Sequence, residues 1–407
     1  MTLFFIVLAL MAVVAITLAT MVASLIGRTG FPLPPADRRI GCIDGLRGYL
    51  ALAVMVSHFF IWVAVTRFGE RWAPPSIHVL NQLGAGGVAL FFMTTGLVFY
   101  PRILKGLRST SWTGVYVTRA FRIMPLVIVS VAIVTAVIVL RTGRGLDTGY
   151  ARAAAVWVSS WDEPPLLDYL DSGRINAYVL WSLWFEWVFY LLVLPVCAAA
   201  MDIVRDRELP TWSVPVGLLG VALGARVAAR LLGHNVDALQ YFPLFAIGMI
   251  AFECQSRPAI RSLLSRPIVA LPAIAALAAG MTVARFPYGA ALPLFAVFFV
   301  CVACGNSLGG VLRTRGALVL GECSFGIYLL HGILLSIQFV DGAALPASLP
   351  TAWLPALLPA LAAMIVPVTA AAYLLIERPG IARGRRLAGQ IAGRGLRIDS
   401  RELEVAP

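Results

Sequence analysis

Residues 43–66 read IDGLRGYLALAVMVSHFFIWVAVT, a nearly continuous apolar run that begins with Asp44 and Arg47 and contains His58. A helix of this length is long enough to cross the hydrocarbon core of a bilayer, which is about 30 Å thick. An ionisable side chain at membrane depth is costly, so a histidine here is a candidate functional residue by default. The stretch therefore predicts a membrane-spanning helix that carries part of a functional site.

The composition of the whole chain is typical of a protein with many membrane spans. Of its 407 residues, 60% are hydrophobic and only 13% are charged, and the mean hydropathy is +0.87. A chain this apolar is not a water-soluble globule. We predict an all-α, polytopic integral membrane protein with ten core transmembrane helices plus one extra N-terminal helix. The predicted spans are 3–26, 43–66, 79–100, 119–140, 178–200, 212–232, 238–254, 267–285, 288–305, 317–340 and 351–376.

One membrane domain accounts for most of the chain, because no long polar segment separates two folded units. We predict an extra N-terminal helix with a cytoplasmic linker over residues 1–39, the membrane domain over 40–380, and a basic cytoplasmic tail over 381–407. The first helix is predicted to be retained, since it lacks a basic n-region and its apolar run is longer than that of a signal peptide.

The net charge of +12 is explained by membrane topology. Basic residues are dispersed over many loops without interleaved aromatic side chains, so we predict no nucleic-acid partner. They are concentrated in one alternating set of loops, which the positive-inside rule makes cytoplasmic. This distribution predicts an N-terminus outside and a C-terminus in the cytoplasm, with the basic tail near anionic membrane lipids. The charge pattern predicts no particular oligomeric state.

The longest external connection, residues 141–177, is acidic and contains prolines. A connection of this length is uncommon unless it has a function, so it can cover an external substrate cleft. The alternative is a disordered connector with a short surface helix at 150–160.

The six cysteines lie almost all within or at the ends of apolar spans. Cys301 and Cys304 have a spacing used in redox and metal sites, but no second ligand pair accompanies them. We interpret them as packing residues and predict neither disulfides nor a metal site.

Asp44, Arg47 and His58 lie on one face of the predicted helix. Asp44 and Arg47 are one turn apart and can pair at the membrane edge, while His58 lies about 21 Å further along the axis. Imidazole titrates near neutrality and is suited to taking a proton from a hydroxyl and returning it to a leaving group. His58 is therefore a candidate general base, and the alternative is a structural histidine bonded to a carbonyl of a neighbouring helix.

Arg119 and Arg122 form a second candidate cluster at the cytoplasmic end of the fourth predicted helix. They are one turn apart, and such a pair of guanidinium groups suits phosphate or pyrophosphate. Positive-inside anchoring also places arginines at this position, so both interpretations stay open.

Ser182, Glu186 and Tyr190 follow at intervals of four and form a polar stripe beside Trp181. A glutamate in such aromatic surroundings needs a partner or a wet cavity, and it can orient or stabilise His58 as acidic residues do for catalytic imidazoles. His331, further along the chain, is a second proton carrier, a substrate contact or a satisfied structural histidine.

The order of these motifs resembles the acyltransferase 3 family of membrane-bound bacterial O-acyltransferases, which act on carbohydrates. Each motif is weak alone, but five in the family's order over about residues 40–380 are specific. Thr95, where the family usually has serine, and Phe325, where it usually has an aromatic hydroxyl, depart from the pattern. The matching motifs are Ile43–Gly48 with Ser57 and His58, Val88–Gly96, Arg119–Pro125, Trp181–Leu183 with Glu186, Phe189 and Tyr190, and Ser324–His331.

The resemblance implies an O-acetyltransferase of the bacterial inner membrane. It has no permanently bound cofactor and uses acetyl-CoA, or another acyl-CoA, as co-substrate. The acyl group would pass from cytoplasmic acyl-CoA to a carbohydrate hydroxyl. The acceptor would be a cell-surface carbohydrate or a lipid-linked carbohydrate, that is, a glycolipid. The implied site residues are His58, Glu186 and Asp44 for catalysis, Arg47, Arg119 and Arg122 for the donor, and Trp181, Ser182, Tyr190 and His331 for orienting the acceptor.

A proton-coupled transporter or flippase of a lipid-linked sugar is the main alternative, because the same buried ionisable groups can couple to protons. Only the enzyme needs a donor site at Arg119 and Arg122. The sequence contains no fixed-period repeat and no inverted pair of broken helices, which weakens the transporter interpretation. An inactive scaffold is disfavoured because the key ionisable positions are all present. The sequence leaves open the acceptor, the position acylated and the acyl group.

Overall fold

The computed structural model describes residues 2–35, 41–234 and 236–393, and these parts of the chain consist of helices and the loops between them. The linker residues 36–39 and the tail residues 394–407, which entered the topology prediction, lie outside the described residues. The helices are α1 (Thr2–Arg28), α2 (Gly41–Phe68), α3 (His78–Lys105), α4 (Trp112–Thr142), α5 (Tyr150–Ser159), α6 (Ser172–Ile175), α7 (Trp181–Asp206), α8 (Ser213–Leu231), α9 (Phe242–Gln255), α10 (Pro258–Leu264), α11 (Ala270–Val283), α12 (Leu292–Ala303), α13 (Arg315–Glu322), α14 (Ser324–Asp341), α15 (Ala344–Ser348), α16 (Leu358–Ala372) and α17 (Arg378–Gly393).

The helical, multi-pass character is confirmed, but the count of ten core helices plus one is not. Within the described residues, eight helices are long and apolar enough to cross a membrane, or nine if the bent pair around α10 and α11 counts as one span. Two of the predicted spans, 238–254 and 288–305, correspond to α9 and α12, which have only 14 and 12 residues. These helices extend about 21 and 18 Å, less than the roughly 30 Å of a hydrocarbon core. A third predicted span, 267–285, is one arm of the pair bent by 67°.

Helix α2 lies at the centre of the bundle, packed against α3, α13 and α14. Its first turns approach α13 and the 3-10 turn before it at glycines. A Cβ at Gly45 would collide with the carbonyl of Leu312 in that turn, and a Cβ at Gly48 with Leu320 of α13. Small residues let helix backbones approach closely inside a membrane. The glycines around Asp44 and Arg47 therefore fix the position of these two charged side chains. Helix α1 packs outside this centre, against α13 and α16.

The connection between α4 and α7 enters the bundle. Ser172, Asn176 and Leu180 are at most 1% exposed, and the backbone of Asn176 packs against Gly332 in α14. The predicted short surface helix is present as α5, while the rest of the connection covers the bundle at the level of His331. We call this end of the bundle the loop end, and the opposite end, where α2 and α4 begin, the arginine end.

Candidate functional site

His58 of α2 and His331 of α14 form a pair inside the bundle. Nε2 of His331 lies 3.0 Å from Nδ1 of His58, and the ring centroids are 5.0 Å apart. His331 is fully buried, whereas His58 is half-buried. The folded chain thus brings together two of the predicted site residues, and His331 is the side chain that contacts the ring of the candidate base.

The carbonyl groups around the pair determine where its hydrogens lie. Nδ1 of His331 is 3.0 Å from the carbonyl oxygen of Ile327, and because a carbonyl only accepts, this nitrogen carries the hydrogen. Nε2 of a neutral His331 is then an acceptor, and the Nδ1–H of His58 donates a hydrogen bond to it; this Nδ1 also lies 3.1 Å from the carbonyl oxygen of Val54. Nε2 of His58 is left unprotonated, with no hydrogen-bond partner among the described residues.

A cavity of about 400 Å³ runs inside the bundle from the arginine end towards the histidine pair. Its volume lies in the range of small-molecule sites. Its inner end reaches Tyr328, whose ring centroid is 6.2 Å from that of His331. The predicted site residues that line the cavity are Asp44, Arg47, Arg119, Arg122, Ser182, Glu186 and Tyr190.

Three arginines surround the cavity at the arginine end. Arg119 is 6% exposed, its guanidinium carbon lies 5.0 Å from the ring centroid of Phe99, and its Nε has no hydrogen-bond partner among the described residues. Arg122 is half-buried, and Arg47 lies 3.9 Å from Asp44, a long ion pair. Converging guanidinium groups at a partly buried site favour an anionic ligand with several oxygens, such as a phosphate.

Hydroxyl groups occupy the middle and the inner end of the cavity. The hydroxyl of Tyr190 donates to Oε2 of Glu186 at 3.1 Å, from a π-helical turn at Phe189–Val193 of the kind often found at functional sites. Oγ of Ser182 and the hydroxyl of Tyr328 are 2.8 Å apart. Glu186 therefore has Tyr190 as its hydrogen-bond partner and faces the cavity.

Trp181 lies apart from the histidine pair. Its side chain is 37% exposed, and its ring packs against that of Tyr241 at a centroid distance of 5.2 Å. Of the predicted site residues, Trp181 alone neither lines the cavity nor belongs to the histidine pair.

Side chains that the sequence did not single out complete the surroundings of His58 at the loop end. The ring of Trp72 lies 6.4 Å from that of His58 at an interplanar angle of 20°. Tyr178 lies 5.9 Å from Trp72, and the guanidinium carbon of Arg174 lies 5.9 Å from the Trp72 ring. Trp72 and Tyr178 lie in loops and Arg174 in the four-residue helix α6, all in connections between the long helices, where no periodic pattern marks a functional face. Their aromatic and cationic character in loops beside a predicted site was the only available signal.

The described residues contain no group of three or more His, Cys, Asp or Glu side chains that could hold a metal ion. Cys301 lies in α12 and Cys304 directly after it. Both cysteines are buried and form no disulfide.

The chain is similar to known proteins over most of its length. A family model described as an acyltransferase domain, that of the acyltransferase 3 family, matches residues 40–376. The exopolysaccharide production protein ExoZ of Rhizobium meliloti (strain 1021) is 25% identical over 351 residues, which cover 77% of this chain and 95% of that protein. Nodulation protein 10 of Rhizobium leguminosarum bv. viciae is 27% identical over 236 residues, which cover 48% of this chain and 61% of that protein. No solved structure matches the chain significantly. All the predicted site residues fall within the matched range.

Proposed function

The chain belongs to the acyltransferase 3 family, and from that premise we propose that it is a membrane-bound O-acyltransferase of the bacterial inner membrane. It transfers an acyl group, by preference acetyl, from acyl-CoA at the arginine end, which faces the cytoplasm, to a carbohydrate hydroxyl that reaches His58 from the loop end. The relative named for exopolysaccharide production supports a surface polysaccharide as acceptor. The observation that carries the proposal is the 3.0 Å contact between Nδ1 of His58 and Nε2 of His331, next to Tyr328 at the inner end of the arginine-lined cavity. This contact leaves Nε2 of His58 free to accept a proton.

The donor phosphates bind at Arg119 and Arg122, with Arg47 beside them. Guanidinium groups bind phosphate oxygens through paired hydrogen bonds, and the Nε of Arg119, which has no partner among the described residues, is available for one of them. The cavity then holds the pantetheine arm in an extended form. This arrangement brings the thioester towards Ser182 and Tyr328 at the inner end.

His58 acts as the general base of the transfer. Its Nε2 accepts the proton of the acceptor hydroxyl while the hydroxyl oxygen bonds to the thioester carbonyl carbon; the carbon–sulfur bond breaks, and the thiol of CoA leaves with that proton. Ser182 and Tyr328 hydrogen-bond to each other, and the carbonyl oxygen of Val179 accepts the remaining hydrogen of the pair. This remaining hydrogen turns to the thioester carbonyl oxygen as negative charge develops on it. Nε2 of His331 accepts a hydrogen bond from the Nδ1–H of His58 and so holds the reactive tautomer.

The first test compares purified wild type with His58→Ala, using labelled acetyl-CoA and the deacylated surface polysaccharide of the producing strain. We expect the rate of transfer to fall by roughly 10²–10⁴-fold, the usual contribution of a general base, while binding of acetyl-CoA is retained because His58 is not in the cavity lining. His78→Ala is the control, since His78 is an exposed histidine of the same chain. A wild-type rate in His58→Ala would contradict the mechanism.

The second test examines the donor site with two donors. Arg119→Gln should raise the KM for acetyl-CoA but not for acetyl-pantetheine, which has the same thioester and lacks the CoA phosphates. Arg108→Gln is the matched control, because Arg108 is exposed at the same end of the bundle and does not line the cavity. Release of one CoA thiol for each acyl group transferred separates the enzyme from a proton-coupled transporter. An equal rise in KM for both donors would show that Arg119 does not bind the phosphates.

A further inference from the structure

We propose that the loop end holds an acceptor subsite, formed by Trp62, Trp72, Glu163, Arg174 and Tyr178, that binds one uncharged sugar ring next to His58. The inference deepens the proposed function and rests on it, because the acceptor must be a carbohydrate for such a subsite to serve transfer.

The aromatic part of the acceptor subsite adjoins the catalytic histidine. Trp72 is half-buried; its ring lies 6.4 Å from His58, 5.3 Å from Trp62 and 5.9 Å from Tyr178. The C–H faces of a sugar ring are apolar and pack against aromatic rings, which supply a large contact area together with polar edges. An acceptor that approaches His58 from the loop end therefore meets this aromatic group first.

The polar part of the acceptor subsite has unused hydrogen-bonding capacity. Within the described part of the chain, Nε1 of Trp62, Oε2 of Glu163 and Nε of Arg174 are buried and have no hydrogen-bond partner. Trp62 as a whole is only 3% exposed. Buried polar atoms are nearly always satisfied, so a group of unsatisfied ones in one place needs a ligand or water to explain it. Two donors and a carboxyl match sugar hydroxyls, which both donate and accept.

The fold keeps these polar and aromatic side chains together. A Cβ on Gly173 would collide with the ring of Tyr178 and would lie 3.0 Å from Oε2 of Glu163, so both side chains flank this glycine. Ala177 and Tyr178 have φ angles of 60° and 52°, a left-handed turn that residues with a Cβ adopt at a cost. This strained turn directs the chain back over the bundle and places Tyr178 beside Trp72.

The charge balance of the acceptor subsite favours a neutral sugar. The guanidinium of Arg174 is already paired with Asp171 at 3.0 Å, so it brings no excess positive charge. Burial raises the pKa of Glu163 to about 8, which keeps this carboxyl protonated at neutral pH and able to donate a hydrogen bond. An acidic sugar would find no uncompensated cation among these five side chains.

The test compares kinetic constants of the full-length protein with acetyl-CoA and the deacylated surface polysaccharide. Trp72→Ala should raise the KM for the polysaccharide about tenfold, as expected for the loss of an aromatic packing face, and leave the KM for acetyl-CoA unchanged. Trp72→Phe, which keeps an aromatic ring, should restore most of the affinity. Trp161→Ala is the matched control, because Trp161 lies on the connection that carries Glu163, Arg174 and Tyr178, is 67% exposed and packs against Trp184.

Two results overturn the acceptor subsite: an unchanged KM for the polysaccharide in Trp72→Ala, or a fall in kcat alone, which would mean that Trp72 only positions His58. If Trp72→Ala does not fold, Arg174→Gln replaces it in the test. This variant is also expected to raise the KM for the polysaccharide, and an unchanged KM would overturn the acceptor subsite. If the wild type transfers no acetyl group, the proposed function fails. The subsite is then judged by calorimetric binding of oligosaccharides from the polysaccharide to wild type and to Trp72→Ala, where weaker binding by the variant supports it and equal or absent binding overturns it.

Discussion

His58 occupies a place where a charged imidazole would be expensive, and its neighbours explain how a neutral one is held there. The hydrogen on Nδ1 is shared between Nε2 of His331 and the carbonyl of Val54, so its desolvation is compensated by hydrogen bonds. A second imidazole differs from the carboxylate usually found behind a catalytic histidine, because it accepts a hydrogen bond without bringing a full negative charge into the membrane. The pair is thus a low-cost way to fix one tautomer in an apolar medium.

This arrangement predicts different effects for two substitutions of His331. His331→Gln keeps an acceptor, its amide oxygen, at about the position of Nε2, whereas His331→Leu fills the space without one. We expect His331→Leu to lower kcat by roughly 10²-fold, within the range for acid–base assistance, and His331→Gln to recover a large part of the loss. The KM for acetyl-CoA should stay unchanged in both. Equal activity of the two variants would show that His331 fills space and does not hold the tautomer.

Glu163 makes the stability of the protein depend on pH. Burial raises the pKa of Glu163 to about 8, with Asp162 adding to the rise and the backbone N–H of Leu180 opposing it; Tyr178, Tyr328 and the Asn176 side chain also face this carboxyl. Because the pKa is higher in the folded than in the unfolded chain, its contribution to stability is full below about pH 4.5 and is lost as the pH rises towards 8.

We therefore expect the Tm of the wild type in detergent to fall between pH 6 and pH 9 relative to that of Glu163→Gln, which cannot ionise. The difference should amount to a few degrees, since about 1 kcal/mol shifts the Tm of a large domain by roughly 2–4 °C. Glu70→Gln is the control, because Glu70 is an exposed glutamate at the same end of the bundle. If the Tm of wild type and that of Glu163→Gln changed in parallel with pH, ionisation of Glu163 would not control the stability.

The residues of the site differ in how far the sequence could reveal them. The intramembrane histidine and the two arginines of α4 stand out because charges are rare in apolar helices, and the cavity lining includes Arg119 and Arg122. The contact between His58 and His331 joins positions 273 residues apart, so no local spacing could predict it. Trp72 lies in the connection between α2 and α3, and its ring reaches His58 only in the folded chain. The residues around Trp72 in the sequence do not predict this contact.

At the scale of helices, hydropathy predicted the apolar segments well and the lengths of the helices that form in them less well. Helix α9 begins at Phe242 with Pro243 in its first turn, and α12 begins at Leu292 with Pro293 in its first turn. Proline favours the first turn of a helix, so both helices start inside segments that were predicted as longer spans. The length of an apolar segment therefore does not give the length of the helix that forms within it.

The packing of α2 on α13 gives a prediction at the same scale. Gly45→Ala places a Cβ against the carbonyl of Leu312, in the 3-10 turn just before α13, so α2 and this turn must separate, with a cost of about 1–3 kcal/mol for overpacking. Asp44 and Arg47 would move with the first turn of α2, so the KM for acetyl-CoA should rise and the Tm should fall. Gly41→Ala in the same turn is the control, because a Cβ there meets nothing within 4 Å. If the two variants behave alike, close packing at Gly45 does not position the donor site.

The whole molecule places two different chemical environments at opposite ends of one bundle. The arginine end has a cavity with three guanidinium groups, and the loop end has a buried connection with aromatic side chains around His58. Along α2, Asp44 and His58 are about 21 Å apart, too far for one small substrate to reach both from the same side. The proposed reaction therefore needs a long donor that enters from the arginine end and an acceptor that enters from the loop end.

Two-sided access predicts that the side of addition controls the reaction in sealed proteoliposomes. Acetyl-CoA does not cross a bilayer, so acetyl-CoA outside and oligosaccharide trapped inside should give product from molecules whose arginine end faces out. With both substrates outside an intact vesicle, each protein meets only one of them at the correct end, and product formation should fall to the level of leakage. Detergent, which opens both ends to one solution, should restore it and serves as the control. Product formed equally fast with both substrates outside intact vesicles would mean that donor and acceptor enter from the same side. The separation of the arginine end from the loop end would then have no catalytic role.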